Sequence, residues 1–136
     1  MTDVLTAEQR HRCMSHIRGK DTGPELTVRR TAYALGFRYR LHVSVLPGKP
    51  DLVFRKLRKV IFVHGCFWHM HSCKFGRVTP ATNKDFWKKK REGNRVRDAR
   101  NKRSLQKSGW KVLYVWECQT RNESMLRAKL QAFLNN

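Results

Sequence analysis

The stretch VIFVHGCFWHMHSC, Val60 to Cys73, decides how this chain folds and where its chemistry sits. Its opening residues Val60, Ile61, Phe62 and Val63 form a continuous apolar run, which suits a strand covered on both faces rather than a half-exposed one. Lys59 to Val63 is therefore expected as a strand, preceded in the chain by the strands Arg38 to Val43 and Asp51 to Phe54. The turn-forming LPGKP (46–50) and the short basic RKLR (55–58) separate these strands.

Further upstream, Asp21 or Thr22 can cap a helix with Pro24 in its first turn and Glu25 at the capping-box position, ending near Leu35 at Gly36. Glu25, Val28, Ala32 and Leu35 follow helical steps, so a carboxylate lies on the stripe that faces the sheet. Residues 7–18 read as a polar helix in which Met14 and Ile17 are three apart, an arm rather than a core element.

Downstream, Thr82 and Asp85 form a second capping-box pair opening a long basic helix to about Lys107, which Gly93 weakens and where it marks a place for a bend. Ser108-Gly109 stops it. Val112 to Trp116 reads as a buried strand, and Met125, Leu126, Leu130, Phe133 and Leu134 as the apolar stripe of a last helix. Helices bracketing a small mixed sheet indicate an α/β sandwich, a single domain over residues 1–136.

The chain carries 30 Lys plus Arg against 10 Asp plus Glu, a net charge of +20 spread over its length. A folded body this basic is suited to a polyanion, nucleic acid first. No apolar run nears the roughly 18 residues that span a bilayer, and MTDVLTAEQR lacks the apolar core of a signal peptide. A cytosolic location is expected, where thiols stay reduced and cysteines serve as metal ligands or buried residues.

His64 to Cys73 holds three of the six His and two of the four Cys. Cys66, His71 and Cys73 can supply three zinc ligands from one loop, with Cys118, just past the strand ending at Trp116, as the fourth if that strand runs beside the one ending at Val63. Separate buried thiols and a core histidine are the alternative. Cys13, in the N-terminal helix, is not expected to be a ligand. A zinc with four protein ligands is closed, so chemistry needs a second centre. Asp51 and the inward-facing Glu25, with His64 and His69 flanking the loop, are the minimum equipment for a hard divalent ion and a general base. Asp51 taken alone reads equally well as a turn cap.

Aromatics interleave with the charge. Phe67 and Trp68 sit in the loop. Trp87 shares a helical face with Lys90, Asn94 and Arg97, a face able to meet bases and phosphates. Periodicity alone equally allows Trp87 in the core and the Lys88–Arg91 run as a solvated face.

RGKDTGPE around Glu25, LPGKPDLVF around Asp51, Val60 to Cys73, PATNKDFW up to Trp87 and GWKVLYVWEC ending at Cys118 together resemble the very short patch repair (Vsr) DNA mismatch endonucleases, over nearly the whole chain. The resemblance implies a restriction-endonuclease-like three-layer α/β/α sandwich with a mixed sheet and a structural zinc site. It also implies a magnesium-dependent nick in double-stranded DNA beside the T of a T:G mismatch left by 5-methylcytosine deamination. Carried over by motif, Asp51 and the main-chain carbonyl of Val63 would hold magnesium, and His69 would be the general base with Glu25 and His64 in support. Cys66, His71, Cys73 and Cys118 would be the zinc ligands. Phe67, Trp68 and Trp87 would be the intercalating wedge, Lys90 and Asn94 would lie near the mismatch, and the arm 1–20 with Met14 would touch DNA. The expected protein is a bacterial-type cytoplasmic monomer held on DNA in the nucleoid, in transient contact with other repair proteins. Relatives of that fold usually carry an acid, any residue and Lys on the second active-site strand; here Phe62, Val63 and His64 stand there, so histidine is expected to replace the lysine.

A zinc-stabilised DNA-binding protein without catalysis is the rival reading. Inward-facing Glu25 and Asp51 argue against it, because anions near a phosphate weaken binding unless a metal bridges them. A zinc base deaminase would need His-x-Glu and Pro-Cys-x-x-Cys, and the chain has neither. A ribosomal-type RNA binder fits the charge but leaves the loop unexplained.

Overall fold

The computed structural model describes residues 23–66, 71, 73 and 82–136. The expectations for Met14, Cys13 and the arm 1–20, and for Phe67, Trp68 and His69, lie outside these residues.

The elements follow in the order α1 (Gly23–Ala34), β1 (Arg40–Leu41), β2 (Leu52–Phe54), β3 (Lys59–His64), α2 (Lys84–Lys107), β4 (Lys111–Trp116), a 3₁₀ turn (Glu117–Arg121) and α3 (Glu123–Leu134). The four strands lie in the order β1-β2-β3-β4. β1–β2 and β2–β3 are antiparallel, whereas β3–β4 is parallel, with Val63 opposite Val115 and His64 opposite Trp116. The parallel pair is connected through α2, the crossover that such a pair requires.

Strand alternation divides the core in two. Leu52, Phe54, Ile61 and Val115 face α1 and α3, packing on Val28, Ala32, Leu126, Leu130 and Leu134. Val53, Val60 and Phe62 face α2, packing on Leu105 and Trp110. The sheet is thus sandwiched between helices, the three-layer α/β/α arrangement, and the apolar run of β3 is buried on both faces as its composition demands.

Local signals explain most boundaries. At the end of α2, Gly109 takes φ 88, Trp110 N–H donates to Leu105 O at 3.0 Å and Gly109 N–H to Gln106 O at 3.1 Å, the paired bonds of a Schellman stop. Gly36 ends α1 in the same way, with Phe37 N–H on Ala32 O and Gly36 N–H on Tyr33 O. Asn122 caps α3 by accepting from Met125 N–H at 3.1 Å. Gly48 (φ 77) has no room for a side chain: a Cβ there would come within 2.9 Å of Asn101, so the 46–50 turn lies directly on α2.

Several boundaries differ from expectation. α2 starts one residue late, at Lys84, with Asn83 as its N-cap in the left-handed region and making no side-chain cap bond, so Thr82 and Asp85 do not form the expected box. Asparagine tolerates that conformation, and the shift puts Phe86 rather than Asp85 at the third helical position. The helix passes through Gly93 without a break. β1 keeps two of the expected residues, because His42 turns to φ 48 and leaves the ladder. Met125 is 62% exposed and is not part of the α3 stripe.

One buried cation holds the far end of the sandwich. Lys59, 2% exposed at the start of β3, donates from Nζ to Phe133 O at 2.6 Å, to Leu134 O at 3.3 Å and to Asn136 O. It satisfies the carbonyls that the C-terminal end of α3 leaves without helical partners.

Candidate active site and metal centre

Two clusters of ligand-bearing side chains form at the same end of β3. The first comprises Cys66, His71, Cys73 and Cys118, whose ligand atoms all lie within 4.8 Å of one another. The parallel register carries Cys66 and Cys118 to one place, each two residues past the His64–Trp116 rung. Cys118 N–H donates to Cys66 Sγ at 3.4 Å, His71 N–H donates to Cys66 O at 3.0 Å, and His71 Nδ1 lies 3.6 Å from Cys118 Sγ. The His71 ring stacks on Trp116 with centroids 4.2 Å apart and planes 16° from parallel, which fixes its direction. Gln119 steadies the 3₁₀ turn that presents Cys118 by accepting from Trp116 N–H and from Lys129 Nζ.

Burial pushes the Cys66 thiol up to about 12, and the Cys73 and Cys118 side chains add to this against the opposing Cys118 N–H. A sulfur so held is a poor anion by itself and becomes a thiolate with a cation beside it. Three sulfurs and one imidazole nitrogen are the donor set of a closed, four-coordinate site that organises a loop. The cluster fits a metal ion, and the four expected ligands are the four residues brought together.

The second cluster comprises Glu25, His42 and Asp51, again with ligand atoms within 4.8 Å of one another. Glu25 is 1% exposed on the inner face of α1. Its Oε2 is paired with Arg29 at 2.5 Å, one helical turn on, and both its oxygens lie 3.0 Å from His42 Nε2. Asp51 is buried immediately before β2 and accepts from Val63 N–H at 2.7 Å. Its carboxylate therefore bears on the backbone of the residue whose carbonyl is expected to share a magnesium ion. Burial is the main cause that raises the Asp51 pKa to about 8; Glu25 raises it further, while the Val63 N–H and Arg29 oppose the rise. Two carboxyl groups buried together resist double ionisation, a conflict that a divalent cation removes.

His64 does not join this cluster. It is buried on the α2 face of the sheet, against Tyr114 (ring centroids 4.6 Å apart) and Trp116 (5.2 Å), with Nε2 4.0 Å from Asp98 Oδ1 of α2. Tyr114 Oη donates to Asp98 O at 3.0 Å, so β4 and α2 together fix the acid beside the histidine. Strand alternation is the reason: Val63 packs with the α1 and α3 core, and its successor points the other way.

Trp87 is half-buried edge-to-face against Phe86 at 5.2 Å; Lys90 is exposed with its Nζ 5.8 Å from the Phe86 ring; Asn94 Oδ1 accepts from Arg97. Phe86, 55% exposed, is a further aromatic on this surface.

Three partners escaped the sequence reading. Arg29 is legible in retrospect as the base four residues after Glu25. Asp98 is legible as an acid on a helix crowded with lysine and arginine. His42 had no signal, since it stood inside an expected strand.

Comparison with known proteins gives a consistent result. Residues 2–75 match the family model described as DNA mismatch endonuclease Vsr. The chain is 44% identical over 135 residues to the type II nicking enzyme V.XorIIP of Xanthomonas oryzae pv. oryzae, covering 99% of this chain and 98% of that one. It is 44% identical over 130 residues to the type II nicking enzyme V.NmeAIP of Neisseria meningitidis (96% and 92% covered). Against DNA mismatch endonuclease Vsr of Escherichia coli K12 it is 41% identical over 126 residues, 93% of this chain and 80% of the relative.

Proposed function

Because the chain belongs to the DNA mismatch endonuclease Vsr family, we propose that it nicks double-stranded DNA beside the T of a T:G mismatch produced by 5-methylcytosine deamination, in a magnesium-dependent reaction. The observation that carries this reading beyond the family is the buried convergence of Glu25 and Asp51 in a chain of net charge +20. A DNA-binding protein without catalysis gains nothing from two carboxyl groups gathered inside a basic body. A hydrolase gains a cation site.

In this reading Asp51 and the Val63 carbonyl would hold magnesium, with Glu25 alongside. When bound, the ion neutralises charge developing on the scissile phosphate and lowers the pKa of the attacking water. His69 accepts that water's proton, a role resting on the family motif. His64, gripped between Tyr114, Trp116 and Asp98, is a supporting group at the end of β3. Cys66, His71, Cys73 and Cys118 would hold zinc, closing the two ends of the segment that carries Phe67, Trp68 and His69 in sequence.

Phe67, Trp68 and Trp87 wedge beside the mismatched pair, which stacks less well than a normal pair and therefore unstacks at lower cost. Lys90 and Asn94 meet its edges, and Met14 of the arm reaches the DNA from the N-terminal side. The enzyme acts as a monomer on nucleoid DNA in the cytoplasm, with other repair proteins in transient contact. Among the described residues no helix is long and apolar enough to cross a membrane.

The test is nicking of a duplex with one T:G pair against T:A and C:G controls, with and without magnesium, by the wild type and Asp51→Ala. Nicking confined to the mismatch, dependent on the ion and lost in the variant is expected. Tight mismatch binding with no nick under any condition would leave the binding-protein reading.

A further inference from the structure

We infer that His42 is a positioning residue for the divalent-cation site, holding the Glu25 carboxylate so that it and Asp51 face a single ion. This rests on the reading of Asp51 as a cation ligand.

Three observations carry it. The imidazole Nε2 stands 3.0 Å from both Glu25 oxygens, in a bifurcated arrangement that fixes the carboxylate plane as well as its place. The backbone of the same residue is tied to the other acid: His42 N–H donates to Asp51 O at 3.3 Å. One residue thus links α1 to the segment that opens β2, with one contact to each carboxyl-bearing residue. The third observation is conformational. His42 has φ 48, the left-handed region that glycine, asparagine, aspartate and histidine enter most readily. That turn, at the end of β1, carries the ring to Glu25.

Arg29 alone does not do the same job. It lies on α1 with Glu25 and neutralises the carboxylate from within the same helix. His42 comes from the β1–β2 connection and ties Glu25 to it through its imidazole. Residues that hydrogen-bond a metal-binding carboxylate change metal affinity by about 10- to 100-fold when replaced, because the carboxylate must then be ordered by the ion itself.

The experiment measures binding of Mn²⁺, a paramagnetic probe for the magnesium site, by electron paramagnetic resonance on the full zinc-loaded chain. It measures in parallel the magnesium concentration for half-maximal nicking of a T:G duplex. His42→Asn keeps a residue that tolerates the backbone conformation but shortens the reach; His42→Gly removes the ring where glycine is most at ease; His42→Gln restores an N–H donor near the original distance. The Asn and Gly variants are expected to weaken Mn²⁺ binding and raise the half-maximal magnesium about 10- to 100-fold, with nicking recovered at saturating metal, and Gln is expected to recover most of the affinity. A purely structural histidine would lower the melting temperature and leave metal affinity unchanged in every variant that remains folded at the assay temperature. Wild-type Mn²⁺ affinity in His42→Gly or His42→Asn overturns the inference. If Asp51→Ala itself retains both Mn²⁺ binding and nicking, the underlying site reading fails instead, whatever the His42 variants do.

Discussion

The backbone N–H of Cys118 points at the sulfur of Cys66, 3.4 Å away, although 52 residues separate them in the chain. The parallel pairing of β3 and β4 produces the meeting, since each cysteine stands two residues beyond a paired residue of the last rung, His64 on one side and Trp116 on the other. The Cys66, His71, Cys73 and Cys118 cluster thus stands across the open end of the parallel pair, where a bound metal would act as a clasp.

Removing one ligand should release that clasp. Cys118→Ser is expected to bind less than one zinc per chain and to melt about 10 °C or more below the wild type, because metal affinity in such sites is folding free energy. Zinc content by atomic absorption and calorimetric melting of the same sample check both halves. A wild type that contains no metal and melts at the same temperature after chelation would remove the basis for a structural zinc.

Asp51 gives a pH dependence whose sign is set by its raised pKa of about 8. An acid whose pKa is higher folded than unfolded contributes stability that is complete below the unfolded value, near 4, and is lost as pH rises through the folded value. Without magnesium, the wild type is therefore expected to lose stability between about pH 4 and pH 8 relative to Asp51→Asn, which keeps an acceptor for Val63 N–H and has no charge to bury. Added magnesium should stabilise the wild type more at pH 8 than at pH 6, since the ion displaces a proton, and should do nothing for the variant. Urea titrations at the two pH values give the comparison, and a magnesium effect independent of pH would contradict it.

Trp87 should contribute to discrimination more than to general affinity. Stacking of a base on an aromatic ring is worth about 1–3 kcal/mol, so Trp87→Ala is expected to reduce the preference for T:G over T:A by about 5- to 150-fold. Its salt dependence of binding should match the wild type, because phosphate contacts set that slope. The same outcome is expected for Trp68→Ala. A shallower slope with intact preference would assign Trp87 to organising the basic helix.

Lys59 should matter for stability alone. Lys59→Met removes the donor shared by Phe133 O, Leu134 O and Asn136 O, leaving the buried Leu134 carbonyl without it at a cost of about 1–3 kcal/mol. Urea unfolding should show the loss, while nicking at low temperature stays within about twofold of the wild type. A large loss of nicking in folded protein would tie the end of α3 to the active site.

Much of this architecture is written locally. The continuous apolar run of β3 required cover on both faces, and α1, α3 and α2 provide it. Gly36 and Gly109 stop helices because the left-handed turn they adopt is cheap for glycine, and this is a property of the residue itself. Glu25 was readable as an inward carboxylate from helical spacing, and Cys66, His71, Cys73 and Cys118 from the rarity and clustering of their donor types.

What the tertiary structure alone decided is which groups meet across elements. Period and spacing say which residues share a face of one helix or strand; they do not say what stands opposite. His42 looked like one more strand residue until the chain turned at φ 48 and brought its ring to Glu25. Glu25 and Asp51 became a pair because α1 packs over the sheet end where Asp51 grips Val63 N–H. His64 parted from them through strand alternation and went to Asp98 on the other side. Each of these contacts joins residues far apart in the chain, and their approach is fixed by packing of whole layers, a constraint no local stretch of sequence contains.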